Sequence, residues 1–177
     1  GKGIFEKTKT KIDIIEKKVN SFLEACIEDI EIKIDSSDDF AIKVKNKKRN
    51  IEPTKDLRKY FNEGKINLII LALFFAVIEV SKEDNKKNIL ILDDFITSLD
   101  MANRIFLMKH IFENFKDFQI LIFTHNIYFY NLIMYLINDK ISKTDKDWQF
   151  ANLYEIDDSH KIYINSDFNS IDKIENK

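Results

Sequence analysis

The chain has 177 residues, 28 basic and 30 acidic side chains, a formal charge of −2 and 45% hydrophobic residues. That length suits one domain, the apolar share excludes wholesale disorder, and a single cysteine excludes a disulfide scaffold. Three glycines and one proline are too few for the frequent tight turns of a β-sandwich or propeller.

The start Gly1-Lys2-Gly3, without Met, reads as a processed or excised fragment. No signal-peptide pattern opens it, so the expected compartment is a reducing cytoplasm. Over residues 5–26, Phe5, Thr8, Ile12, Ile15, Val19, Phe22 and Cys26 recur at spacings of three and four. That narrow seam predicts a helix over residues 1–27, either the root of a coiled coil or an ordinary amphipathic helix. Ile30, Ile32 and Ile34 then alternate with polar residues, as do Phe40, Ile42 and Val44, with Ser36-Ser37-Asp38-Asp39 between them. This predicts a β-hairpin with one buried face. Lys43, Lys45, Lys47, Lys48 and Arg49 form a basic cluster, either a solvated loop or a patch that tracks phosphates. From Leu57 the pattern is helical and becomes apolar on every side through residues 68–78, predicting a helix buried on most faces. That run is too short to span a bilayer, which takes about 20 residues, so no membrane association is expected.

Ile89 to Leu92 is a continuous apolar run, which predicts a central parallel strand covered on both faces. An amphipathic segment (101–115), a second apolar strand (119–123) and another helix (127–137) follow. Strand, helix, strand, helix implies a right-handed crossover and an α/β fold with a parallel sheet core. Residues 151–156 and 161–164, separated by Asp157-Asp158-Ser159-His160, predict a terminal hairpin. The polar tail from Asn165 onward is expected to be loosely held.

The first strand delivers Asp93 and Asp94 at its carboxyl end, where open α/β sheets bind ligands. Two adjacent carboxylates repel unless a cation or hydrogen bonds offset the charge. Mg²⁺ bound to nucleotide phosphates supplies such a charge, while the second carboxylate can orient or deprotonate a water. The second strand ends in Thr124-His125-Asn126, which puts an imidazole within reach of the same phosphate. His110 and His160 lack this context and read as surface residues. Before the all-apolar helix, Asn62 is a good N-cap and Gly64 admits a close backbone approach. The first helical turn there is suited to an anion.

In this order the three pieces resemble the carboxyl-terminal half of an ABC-type ATPase head. The kin are the SMC, RecF and RecN group, including related ATPases of bacterial anti-phage systems. NEGKINLIILALFFA is similar to that group's signature motif, ILILDD resembles Walker B, Ser98-Leu99-Asp100 the D-loop and Thr124-His125 the H-loop. The resemblance implies a partial P-loop NTPase fold. Residues 1–27 would be the root of the coiled coil, and residues 28–177 the carboxyl-terminal lobe. It further implies that Asp93 binds Mg²⁺, that Asp94 takes the place of the catalytic Glu, and that His125 contacts the γ-phosphate. Asn62 and Gly64 would contact ATP bound to the opposite subunit, and Asp100 would organise the dimer seam. Asn62 stands where the group usually has serine, and Lys65 where an acidic residue or glutamine is common.

No GxxxxGK[ST] occurs in these 177 residues, and such a loop needs its own strand and helix. The resemblance therefore implies an amino-terminal lobe carrying Walker A as partner, a head-to-head homodimer, and DNA as the target in repair or phage defence. The isolated chain is expected neither to bind ATP tightly nor to hydrolyse it. The competing reading is a non-catalytic module that docks a partner through its helical arm.

Overall fold

The computed structural model describes residues 2–26, 28–36, 41–53, 56–96, 98–138, 148–156 and 159–165. The predicted turn residues Ser37, Asp38 and Asp39, with Phe40, Asp157, Asp158 and the tail from residue 166, lie outside these. The chain divides into two compact units, residues 1–125 and 126–177.

In the first unit, helix α1 (Lys2–Ala25) precedes an antiparallel hairpin of β1 (Ile30–Asp35) and β2 (Ala41–Asn46). The register sets Ile32 opposite Val44 and Ile34 opposite Ile42. Ile30, Ile32 and Val44 are buried, as the alternation requires. The seam of α1 buries Val19, Phe22, Leu23 and Cys26, and the helix packs on α2 and β1. Its side chains also serve the outer edge of β1. Asn20 donates to the Ile32 carbonyl and accepts from the Ile32 N–H, both at 2.8 Å, and Glu16 accepts from the Ile34 N–H at 2.7 Å. An open strand edge invites pairing with other chains; here helix side chains satisfy it. Burial, reinforced by the charges of Glu28 and Asp100, pushes the Cys26 thiol up to about 12.

Helix α2 (Glu63–Ser81) contains the apolar run but is longer than it. The run itself stays shorter than a bilayer, while α2 as a whole is long and apolar enough to cross one by length and composition alone. Its Leu68, Ile69, Ala72, Phe75 and Ala76 are buried within the protein, whereas Ile70, Phe74 and Val77 are exposed. The expectation of burial on most faces holds for one side only.

Glu79, near the end of α2, ties three helices together. Its side chain is 7% exposed and accepts from Lys18 of α1 at 2.5 Å. On its other oxygen it meets His110 Nε2, from α3 (Met101–Asn114), at 2.9 Å. His110 is thus no surface residue. It lies edge-on to Phe22 at 4.8 Å and within aromatic contact of Phe75 and Phe115. Burial alone would raise the Glu79 carboxyl, but hydrogen bonds and charge from His110 and Lys18 outweigh it and hold it below its ordinary value of 4.5. The folded state therefore binds the proton more weakly than the unfolded chain does. Its stabilisation is present above about pH 4.5 and is lost as the pH falls through the folded value. Glu79→Gln should lower the melting temperature at neutral pH and flatten its fall below about pH 4.5, as thermal melts across that range would show.

Strands β3 (Asn88–Asp93) and β4 (Phe118–Phe123) pair in parallel, with α3 between them in the chain. This is the predicted strand–helix–strand unit, but the expected cover on both faces is not found. Leu90 and Leu92 are buried, whereas Ile89 and Ile91 on the opposite face are 55% and 61% exposed, with Phe123 at 53%. The apolar run does match a strand meant to be covered on both sides; among the described residues one side is covered.

In the second unit, α4 (Ile127–Leu136) is capped by Asn126, whose side chain accepts from the Phe129 N–H at 3.0 Å. β5 (Phe150–Ile156) and β6 (Ser159–Asn165) form the expected antiparallel hairpin, but Ser159 and His160, expected in the turn, and Asn165, expected in the tail, pair within β6.

Candidate functional site

The register of the parallel pair sets Asp93 opposite Phe123, so the two strand exits lie side by side. The ladder runs one step further, the Asp94 N–H donating to the Phe123 carbonyl at 3.0 Å. Asp94 then turns the chain off the strand with a left-handed backbone, φ 41°, a conformation that Asp and Asn adopt more readily than most residues. One carboxylate oxygen accepts from the His125 N–H at 3.3 Å, and the other is hydrogen-bonded to His125 Nδ1. The ring contact, aided by the His125 backbone N–H and the Thr124 side chain, outweighs desolvation and holds the Asp94 carboxyl below its usual range. With Nδ1 engaged and the ring 77% exposed, Nε2 is the nitrogen left for a ligand.

Side chains alternate along a strand. Asp93 is exposed and shares its parity with Ile89 and Ile91, so it stands on the uncovered side of β3. Among the described residues no group of three or more His, Cys, Asp or Glu is placed to hold a metal ion. One exposed carboxylate at a strand tip suits Mg²⁺ carried in on phosphates, an ion that keeps water and few protein ligands.

A second group forms where α2 begins. The Asn62 side chain accepts from the Lys65 N–H at 2.9 Å, so it is the N-cap that its residue type suggests. Its oxygen is engaged, and its amide N–H groups remain to meet a ligand. A Cβ on Gly64 would lie 3.0 Å from the Ser98 carbonyl oxygen, close enough that a side chain here would push that backbone away by a few tenths of an ångström. Asn67 also donates to the Ser98 hydroxyl. These two contacts, which no local pattern signals, fasten the start of α2 to the loop after β3. Asp100 caps α3, accepting from the Asn103 N–H at 2.9 Å.

The structure thus brings Asp94 and His125 together, with Asp93 beside them in the chain, and gathers Gly64 with the loop that ends at Asp100. No hydrogen bond or ion pair joins the two groups among the described residues.

No family model matches the sequence, and no curated protein does. Solved structures do. A structure from work on ATP-driven dimerisation and DNA-stimulated activation of SMC ATPases aligns at TM-score 0.62 and 17% identity, covering 94% of this chain and 90% of that one. A Pyrococcus furiosus Smc head with an extended coiled coil, bound to the C-terminal domain of ScpA, aligns at 0.62 and 15% identity. There the alignment covers 92% of this chain and 36% of the other. The SMC head domain from Thermotoga maritima aligns at 0.56 and 17% identity, covering 91% of this chain and 51% of that one. The chain thus has the fold of an SMC-type ATPase head, and spans about a third to a half of the two longer chains.

Proposed function

We propose that this chain is the carboxyl-terminal half of an SMC/RecF-like ATPase head that binds ATP with Mg²⁺ between two protomers and acts on DNA, in repair or in defence against phage. One observation carries the reading: an acidic strand tip and an imidazole from the neighbouring strand meet beside a sheet face left bare. Asp93 projects from the side on which Ile89, Ile91 and Phe123 are exposed. A lobe bearing a phosphate loop, docked on that face, would cover the apolar side chains and set triphosphate against Asp93.

In this arrangement Mg²⁺ offsets the phosphate charge when bound. Asp94 orients the attacking water and accepts its proton. The Asp94 carboxylate holds His125 by Nδ1–H, so in the doubly protonated ring Nε2–H is directed to donate to the terminal phosphate. Asn62 presents its amide, and Gly64 its backbone N–H, to nucleotide held by the opposite protomer. Asp100, as the cap of α3, fixes the loop that would run along the seam. The arm α1 would continue into a coiled coil, and the intact assembly would work in the cytoplasm.

The test is complementation. Alone, the 177 residues should show neither tight Mg²⁺-dependent ATP binding nor turnover above background. Mixed with a lobe carrying the phosphate loop, they should bind ATP and double in mass when it is added. Turnover by the isolated chain at the rate of an intact head, or a folded, associated partner that confers no ATP binding, would overturn the reading. Alanine at Asp93 and His125 without loss of activity would favour a non-catalytic docking module.

A further inference from the structure

The basic cluster of the hairpin has no part in the site above, and the structure divides it. Lys43 pairs with Asp35 across the strands at 3.1 Å, and Lys45 lies opposite Glu31 in the register. Lys48 and Arg49 stand apart, at the tip of a tight turn, with no ion-pair partner among the described residues. The turn is closed by the Asn46–Ile51 backbone pair at 2.8 and 3.3 Å. Asn46 Oδ1 accepts from the Arg49 N–H at 2.8 Å, and Asn50 takes a left-handed backbone, φ 50°. The two cations are therefore exposed but mounted on a well-anchored turn.

Both line a cleft of about 400 Å³, together with Tyr60, Asn62 and Lys65. That volume falls within the roughly 300–1,000 Å³ of small-ligand sites. Asp29 also lines it, the one carboxylate to do so. The Lys65 ammonium is already paired with Glu28 at 2.7 Å, so Lys48 and Arg49 stand against the single carboxylate of Asp29 and leave the cleft net positive. Tyr60 is 47% exposed while its neighbour Phe61 is buried and anchors it.

The geometry points to this cleft as a binding site for a nucleotide unit, its phosphate held by Lys48 and Arg49 and its base laid against Tyr60. An Arg fork matches two phosphate oxygens, and a lysine adds a point charge. A half-exposed aromatic ring beside cations is the arrangement that binds bases without regard to sequence. An acidic peptide would use the cations but leave the ring without a partner. The nucleotide can be free or part of a single strand; Lys48, Arg49 and Tyr60 have no role in the ATPase reading, whereas Asn62 lines this cleft and serves that reading as well.

The probes are a fluorescent oligothymidine, followed by anisotropy, and ATP without Mg²⁺, followed by calorimetry, both with the full chain at low salt. Lys48→Glu/Arg49→Glu should weaken whichever probe binds by about tenfold or more. The matched change Lys9→Glu/Lys11→Glu, at exposed positions of α1, should have less than about a twofold effect. For the strand, Lys48→Ala/Arg49→Ala should reduce the salt slope by roughly 0.7–1.4, whereas Tyr60→Ala should weaken binding several-fold and leave the slope unchanged. Oligonucleotide binding alone identifies a strand as the ligand, and ATP binding alone a free nucleotide. The proposal is overturned if neither probe binds, or if the Lys48/Arg49 variant binds as the Lys9/Lys11 variant does.

Discussion

Asp94→Asn, in a head completed by its phosphate-loop lobe, is expected to cut ATP turnover by about 10²–10⁴-fold while ATP-dependent dimerisation persists. The substitution is well suited to isolate chemistry from folding. Asn tolerates the left-handed backbone at this position, φ 41°, and keeps an oxygen to accept from the His125 N–H. What it loses is the negative charge and the basicity that a water-activating group needs. An ATP-bound dimer should accumulate, visible as doubled mass by light scattering with nucleotide trapped in it. Turnover equal to wild type would remove Asp94 from the chemistry and leave it a structural partner of His125.

Phe115→Ala is expected to have the largest effect on stability, a loss of about 3–5 kcal/mol. The ring is fully buried at the end of α3. It meets Phe75 edge-on at 5.5 Å and Phe118 at 5.0 Å, joining α2, α3 and β4. Little can collapse into the space it would vacate, because each neighbour is fixed by its own element. Against a typical total of about 5–15 kcal/mol, such a loss brings the fold near its limit. Urea denaturation should show a lower midpoint with unchanged slope. Phe74→Ala, edge-on to Phe75 at 5.4 Å but half exposed, should cost far less.

Both predictions rest on residues whose placement was partly legible beforehand. The alternation of Ile30 and Ile32 predicts β1 because period two is local, and Asn62 announces its helix because capping needs only three residues of context. The meeting of Asp94 with His125 was readable one level up, from two apolar runs joined by a helix. Contacts made by single polar side chains across elements were not. Asn20 on the β1 edge, Glu79 between Lys18 and His110, and Gly64 against Ser98 leave no periodic trace. His110 looked like a surface residue for that reason, since its cage comes from three separate segments. Ile89 and Ile91 mark a different limit. An apolar run reports that a strand is suited to cover on both faces, not whether the same chain supplies both covers.

The thiol of Cys26 has a practical corollary. Buried and raised well above the ordinary thiol value, it is held as the unreactive thiol at neutral pH. The native sequence, with its one cysteine, is in effect silent toward maleimide dyes. A spin label or fluorophore pair can therefore be installed through cysteines added on the exposed side of α1 and on the hairpin, without first removing the natural residue. The separation of α1 and the hairpin could then be measured in an otherwise wild-type background.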